Sequence, residues 1–264
     1  MTEENTLQNY HQLLKADEWA AGLDSFNTDQ TRNTPRPDVQ KISPPNAEIF
    51  PLTPPEEFSI GQKPVIDVIR ERRSHRYFTE QPLTLQELSF LLWATQGIRA
   101  TTTFDGITYY LRNVPSDGNR HPIETYLNIH RVEGFAAGLY RYRPVEHDLV
   151  LLREGTEICE EVSIASLEQA SEYQGKPFYF IRDCAVVFIW AAVPYRSEWR
   201  YGPAGPKLIA LDSGHICQNL YVACGAIDLG TCAIGAFNRQ KMDAVLQLDG
   251  EEEFSFYMAP VGKI

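Results

Sequence analysis

The chain has 264 residues, of which 43% are hydrophobic and 22% charged. That composition excludes disordered and fibrous classes and leaves room for one large domain or two small ones. Twenty-four Lys and Arg stand against 35 Asp and Glu, a formal charge of −11, so nucleic acid is not expected as a general partner, since phosphate neutralisation dominates such binding. The five cysteines, Cys159, Cys184, Cys217, Cys224 and Cys232, form no C-x-x-C pair and no metal-ligand spacing. An odd number suits no closed disulfide framework, which makes a reducing cytoplasm the expected setting and leaves no metal site in view. Residues 1–9 are polar, and no apolar run reaches the roughly eighteen residues of a membrane span, so neither secretion nor membrane insertion is expected.

Residues 27–64 carry eight prolines among Asn, Thr and Asp (Pro35, Pro37, Pro44, Pro45, Pro51, Pro54, Pro55, Pro64). Fixed φ angles and missing N–H groups predict an irregular arm over 1–64, with a folded domain from 65 to 264. Val65, Ile66, Val68 and Ile69 predict a short helix leading into Arg70, Arg72, Arg73 and Arg76. Thr84 and Glu87 form a capping box before Leu85, Leu88, Leu91 and Leu92, and Gly97 stops that helix. Strand-like pieces at 126–132, 139–142 and 149–152 predict a β-meander, and residues 156–172 predict a helix. The run AVVFIWAAV within 184–193 predicts a central strand covered on both faces. A long buried helix follows over 209–227, then a shorter one capped by Asn238, then a last strand with Phe254, Phe256 and Met258 alternating. Helices and strands mingle without a βαβ repeat, so the fold class is α+β.

Three constellations could carry chemistry. Arg72, Arg73, Ser74 and Arg76 place guanidinium forks beside a hydroxyl, as a phosphate monoester requires, although a solvated basic helix end has the same composition. Pro115, Ser116, Asp117, Gly118, Asn119, Arg120 and His121 could present polar groups to a heterocycle edge, or form an ordinary multiple turn. Gly230, Thr231, Cys232, Ala233, Ile234, Gly235, Ala236 and Phe237 form a small-residue loop that would let a flat ligand approach the backbone, or a tight helix-to-strand connection. No G-x-G-x-x-G or P-loop spacing is present.

Together these segments resemble the FMN-dependent nitroreductase family, and most closely its SagB-type azoline-dehydrogenase branch. The likeness rests on VIRERRSHRYFTEQPLTLQELSFLLWATQGI (68–98), VPSDGNRHPIETYL (114–127), GLYRYRPVEHDLVLL (138–152), RYGPAGPKLIALDSGHICQNLYVA (200–223) and LGTCAIGAF (229–237), with Tyr10 and His11 similar to the usual opening. The resemblance implies an antiparallel-rich central sheet flanked by helices, an intertwined homodimer, and FMN at the shared interface. It implies that Arg72, Arg73, Ser74 and Arg76 hold the phosphate and ribityl chain. Pro115, Ser116, Asp117 and Asn119 would reach the flavin from the partner subunit, and Ala233, Ile234, Gly235 and Ala236 would lie against the ring.

The resemblance further implies hydride transfer between flavin N5 and a small or peptide-borne substrate. Where the branch has a Lys-Tyr pair associated with proton removal, this chain has Arg200 and Tyr201. Arginine keeps its proton, so Arg200 could assist Tyr201 but not replace the lysine as base. An NAD(P)H-dependent nitro or quinone reductase is the competing activity, and a flavin-free scaffold subunit the competing class. Lys263 is the only late cation, and His215 and Asn219 could line the site or be structural.

Overall fold

The computed structural model describes residues 11, 14–17 and 27–264; Tyr10 and most of 1–26 lie outside the described residues. In chain order the strands are β1 (Ile49–Pro51), β2 (Ile98–Phe104), β3 (Ile107–Arg112), β4 (Ile123–Ile129), β5 (Gly138–Arg143), β6 (Asp148–Glu154), β7 (Ser171–Tyr173), β8 (Lys176–Phe178), β9 (Val186–Ala192), β10 (Leu229–Thr231) and β11 (Phe254–Lys263). The helices are α1 (Val65–Glu71), α2 (Leu85–Gln96), α3 (Glu157–Ala165), α4 (Tyr195–Tyr201), α5 (Gly205–Ala226) and α6 (Arg239–Leu246). Seven strands build one sheet in the order β1-β6-β5-β4-β9-β11-β10, antiparallel at each pairing.

Period-two alternation along the apolar run divides the core. Phe188 and Trp190 of β9 enter a core with Leu88, Leu91 and Leu92 of α2 and Ile216 and Leu220 of α5. Val187, Ile189 and Ala191 enter the opposite core, with Ile158 and Val162 of α3 and Met242 and Leu246 of α6. Each large side chain fully buried there contributes about 1.5–3 kcal/mol, which is why a strand with no polar face is stable only between two helical layers. The expected α+β class, the meander β4-β5-β6, the central strand and the long helix are all present. The capping box is formed as expected: Glu87 N–H donates to Thr84 Oγ1, and Thr84 N–H donates to Glu87 Oε2. Among the described residues, no helix is long and apolar enough to cross a membrane.

Several expectations need correction. The arm contributes β1, which pairs with β6 at Ile49, Phe50 and Pro51; Pro51 is tolerated because an edge strand leaves one row of amides unpaired. The helix expected over 156–172 ends at Ala165, because Leu167 and Glu168 take left-handed φ values of 63° and 46°. Only Val68 of α1 is buried, while Val65, Ile66 and Ile69 are exposed. The alternation of Phe254, Phe256 and Met258 fails because the register shifts between Ser255 and Tyr257, turning Phe256 outward. Two hairpins, β2-β3 and β7-β8, were not anticipated. Asp105-Gly106, with φ 54° and 76°, marks the first as a two-residue turn of the kind that Asp-Gly favours.

Candidate active site

α1 ends where Arg72 turns to extended backbone (φ −54°, ψ 124°). The chain then crosses β10, His75 N–H donating to Thr231 O at 2.9 Å. This crossing requires Gly230, since a Cβ there would lie 2.3 Å from Ile264 Cγ2 and 2.8 Å from His75 Cβ. The consequence is that the basic cluster and the small-residue loop meet. The Ser74 and Tyr221 hydroxyls are 2.8 Å apart, and Ala233 N–H donates to the same Tyr221 oxygen at 2.8 Å. The Arg72 guanidinium lies 5.4 Å from the Tyr221 ring centroid. Burial pushes the Cys232 thiol up, against the opposing pull of Arg76, Ser74 and Tyr221, so Cys232 is a packed thiol and not an activated nucleophile.

Arg72, Arg73, Ser74 and Arg76 are all exposed. No carboxylate pairs with any of the three arginines among the described residues. Arg72 and Arg73 border a cavity of about 220 Å³ that Tyr221, Thr231 and Ile264 also line. A cleft of about 330 Å³ lies beside Gly235, walled by Ala210, Ser213 and Gly214 of α5 with Phe256 and Tyr257. Three guanidiniums without carboxylate partners, and a cleft walled by small residues on one side and by Phe256 and Tyr257 on the other, fit a phosphate-bearing planar cofactor such as FMN. Within the loop the four residues differ. Ile234 is buried in the core, with its N–H and C=O both paired to Met258. Ala233 N–H is held by Tyr221, whereas Gly235 and Ala236 are exposed, which leaves those last two as the loop's solvent-facing positions. Lys263 is ion-paired with Glu87 and Asn219 Nδ2 donates to Ala94 O at 2.8 Å, so both are engaged structurally; His215 is exposed.

The second constellation sits at the other end of α5. Ser116 Oγ donates to Asp212 Oδ2 at 2.5 Å and accepts from His121 N–H at 2.8 Å, while Asp117 N–H points to Asp212 Oδ1 at 3.4 Å. Burial, reinforced by the charge of Asp117, pushes the Asp212 carboxyl up to about 6 against the pull of the Ser116 bond. Burial, then Arg112 and Arg120, push the His121 imidazole down to about 2. It is therefore neutral, and its ring bonds to Asn119 Oδ1 at 2.5 Å. Gly118, at φ 57°, packs on α4: a Cβ would lie 2.5 Å from the Tyr201 hydroxyl and 2.9 Å from Arg200 Cδ. Pro115, Ser116, Asp117 and Asn119 are thus gathered with Arg200 and Tyr201. Asp212 and Tyr221, nine residues apart on α5, separate this group from the basic cluster by roughly 13 Å along the helix axis.

Asp212 and Tyr221 were not singled out from sequence. The available signal was weak, an acid and a phenol on a helix that also carries Lys207, Ser213, His215, Gln218 and Asn219.

A family model described as the nitroreductase family matches residues 69–263. A protein named a nitroreductase in Methanocaldococcus jannaschii is 32% identical over 197 residues, covering 75% of this chain and 89% of that relative. The trifolitoxin-processing protein TfxB of Rhizobium leguminosarum bv. trifolii is 32% identical over 174 residues. That match covers 63% of this chain and 44% of TfxB, less than half of the relative's length. A crystal structure from Ralstonia eutropha, also of a protein named a nitroreductase, superposes with a TM-score of 0.62 at 25% identity, over 87% of this chain and 98% of that one.

Proposed function

The chain belongs to the nitroreductase family, and from that premise we propose that it is an FMN-dependent oxidoreductase of SagB type, moving a hydride between flavin N5 and a small or peptide-borne substrate. The observation that carries this reading is the Ser74–Tyr221–Ala233 bridge, which brings three unpaired cations and a small-residue loop to one place. TfxB, named for processing trifolitoxin, supports a substrate-modifying role in maturation of a larger product.

Bound FMN supplies the hydride acceptor and donor. Arg72, Arg73 and Arg76 hold its phosphate with Ser74, and Tyr221 fixes the loop by bonding Ala233. Gly235 and Ala236 give the ring edge access to backbone. A proton exchanged with substrate would pass through the Tyr201 hydroxyl, whose ring lies 5.4 Å from the Arg200 guanidinium carbon. By family resemblance, the Pro115–Asn119 loop of one subunit closes over the cofactor of the other, which would make the complete site a dimer property.

Purified protein is expected to be yellow with flavin absorbance, and dilution should release cofactor and dissociate subunits together. A colourless protein that takes up no FMN on reconstitution overturns the reading and leaves the scaffold alternative. Anaerobic bleaching of bound flavin by NAD(P)H selects nitro or quinone reduction; absence of bleaching selects substrate dehydrogenation.

A further inference from the structure

A second group of cations is unexplained by the flavin. Arg120, 5% exposed, donates from Nε to Gly118 O at 3.0 Å and lies 5.1 Å from the Trp199 ring centroid. Arg36, carried by the proline-rich arm, donates from one guanidinium nitrogen to Asn119 O at 3.3 Å and stacks 4.8 Å from the Tyr109 centroid. Its other terminal nitrogen, Nη1, is buried with no hydrogen-bond partner, as is Asn119 Nδ2 on the same loop. Arg200 completes the group over Tyr201.

None of the three pairs with a carboxylate among the described residues, in a chain whose formal charge is −11. Burial, then the charges of Arg36 and Arg200, push Arg120 down to about 10. Mutual repulsion of half-buried cations destabilises a fold unless a counter-charge offsets it. The arm is fixed in this position by backbone and side-chain bonds: Gln30 N–H donates to Trp199 O at 2.9 Å, and Trp199 Nε1–H to Thr34 O at 3.0 Å.

We propose that Arg36, Arg120, Arg200 and Asn119 form an oxyanion-binding site, separate from the Arg72–Arg76 cluster, that takes a phosphate or carboxylate group of the reaction partner. Planar forks with free donors bind both oxyanions bidentately, and Tyr109, Trp199 and Tyr201 provide aromatic faces beside the charge. Within one subunit the site lies about 13 Å along the α5 axis from the Arg72–Arg76 cluster, and it rests on the flavin reading in that the Pro115–Asn119 loop and Arg200 face the cofactor there.

The test is a thermal unfolding series on the flavin-loaded full chain, comparing sodium pyrophosphate with sodium chloride at equal ionic strength. Pyrophosphate at roughly ten times its Kd should raise Tm by about 3 °C. Arg36→Met should abolish that rise while unfolding at the same or a higher temperature in chloride, because a repelling charge is gone. Arg200→Met should do likewise and serves if Arg36→Met does not fold. Arg72→Met should retain the rise. Two further probes identify the source: 2′,5′-ADP reproducing the rise points to a nucleotide phosphate, and N-acetyl-dialanine doing so where its amide does not points to a peptide carboxylate. The proposal is overturned if pyrophosphate gives wild type no rise, if the rise survives both Arg36→Met and Arg200→Met, or if Arg72→Met removes it.

Discussion

The two ends of α5 handle charge in opposite ways. Near Tyr221, cations stand exposed and unpaired, and the hydrogen bonds that place them run through backbone and hydroxyls. Near Asp212, a buried carboxyl is already engaged by Ser116 and Asp117 before any ligand arrives. The contrast separates exposed cations that have no carboxylate partner among the described residues from a buried carboxyl that holds a loop still. Substitutions of the Arg72–Arg76 cations should therefore change ligand content and spare the fold, whereas substitution of Asp212 should change stability and its pH dependence.

The strongest way to break this contrast is Arg72→Ala combined with Arg76→Ala. Loss of two charge-assisted contacts should weaken FMN binding by roughly a hundredfold or more, read as flavin absorbance per protein, with an unchanged circular dichroism spectrum. Unfolding of the double variant would show that these cations are structural.

The second test concerns Asp212. Burial pushes its carboxyl up to about 6, above the 3.8 of an ordinary aspartate, so between those values the native state retains a proton that the unfolded chain has released. Stability must then fall as pH rises from about 4 to about 6, by roughly 2–3 kcal/mol at most, and stay level above. Urea unfolding should show this slope in wild type and its loss in Asp212→Asn; equal slopes in both proteins would place the proton elsewhere. A smaller effect is expected for Gly118→Ala, about 1–2 kcal/mol from the left-handed φ, with Tyr201 displaced by the new methyl. Smallest is Tyr221→Phe, about 1 kcal/mol for the lost hydroxyl bridge, seen as a Tm lower by roughly 2–4 °C.

The layers were legible because their signals are local. The unbroken run of β9, the Thr84–Glu87 box and the Asn238 cap each dictate structure within a few residues. What escaped was tertiary or depended on one conformational detail. The outward turn of Phe256 follows from a register shift, which no alternation pattern encodes. Ile234 looked like part of a ligand-facing loop, yet its backbone pairs with Met258. Arg72, Arg73, Ser74 and Arg76 could be named from sequence, but their meeting with Ala233 depends on Tyr221, more than a hundred residues along the chain. The hairpin at Asp105-Gly106 was the exception, a local turn signal that was present and unused.

The sheet's two outermost strands are both three residues long, and one of them contains Pro51. Open rows of amide groups invite a neighbouring chain to zip on, and such recruitment is the first step toward insoluble fibres. Stubby borders, one blunted by an imino acid, leave a neighbour little to grip, so the proline-rich arm guards the edge of β6 against unwanted stacking.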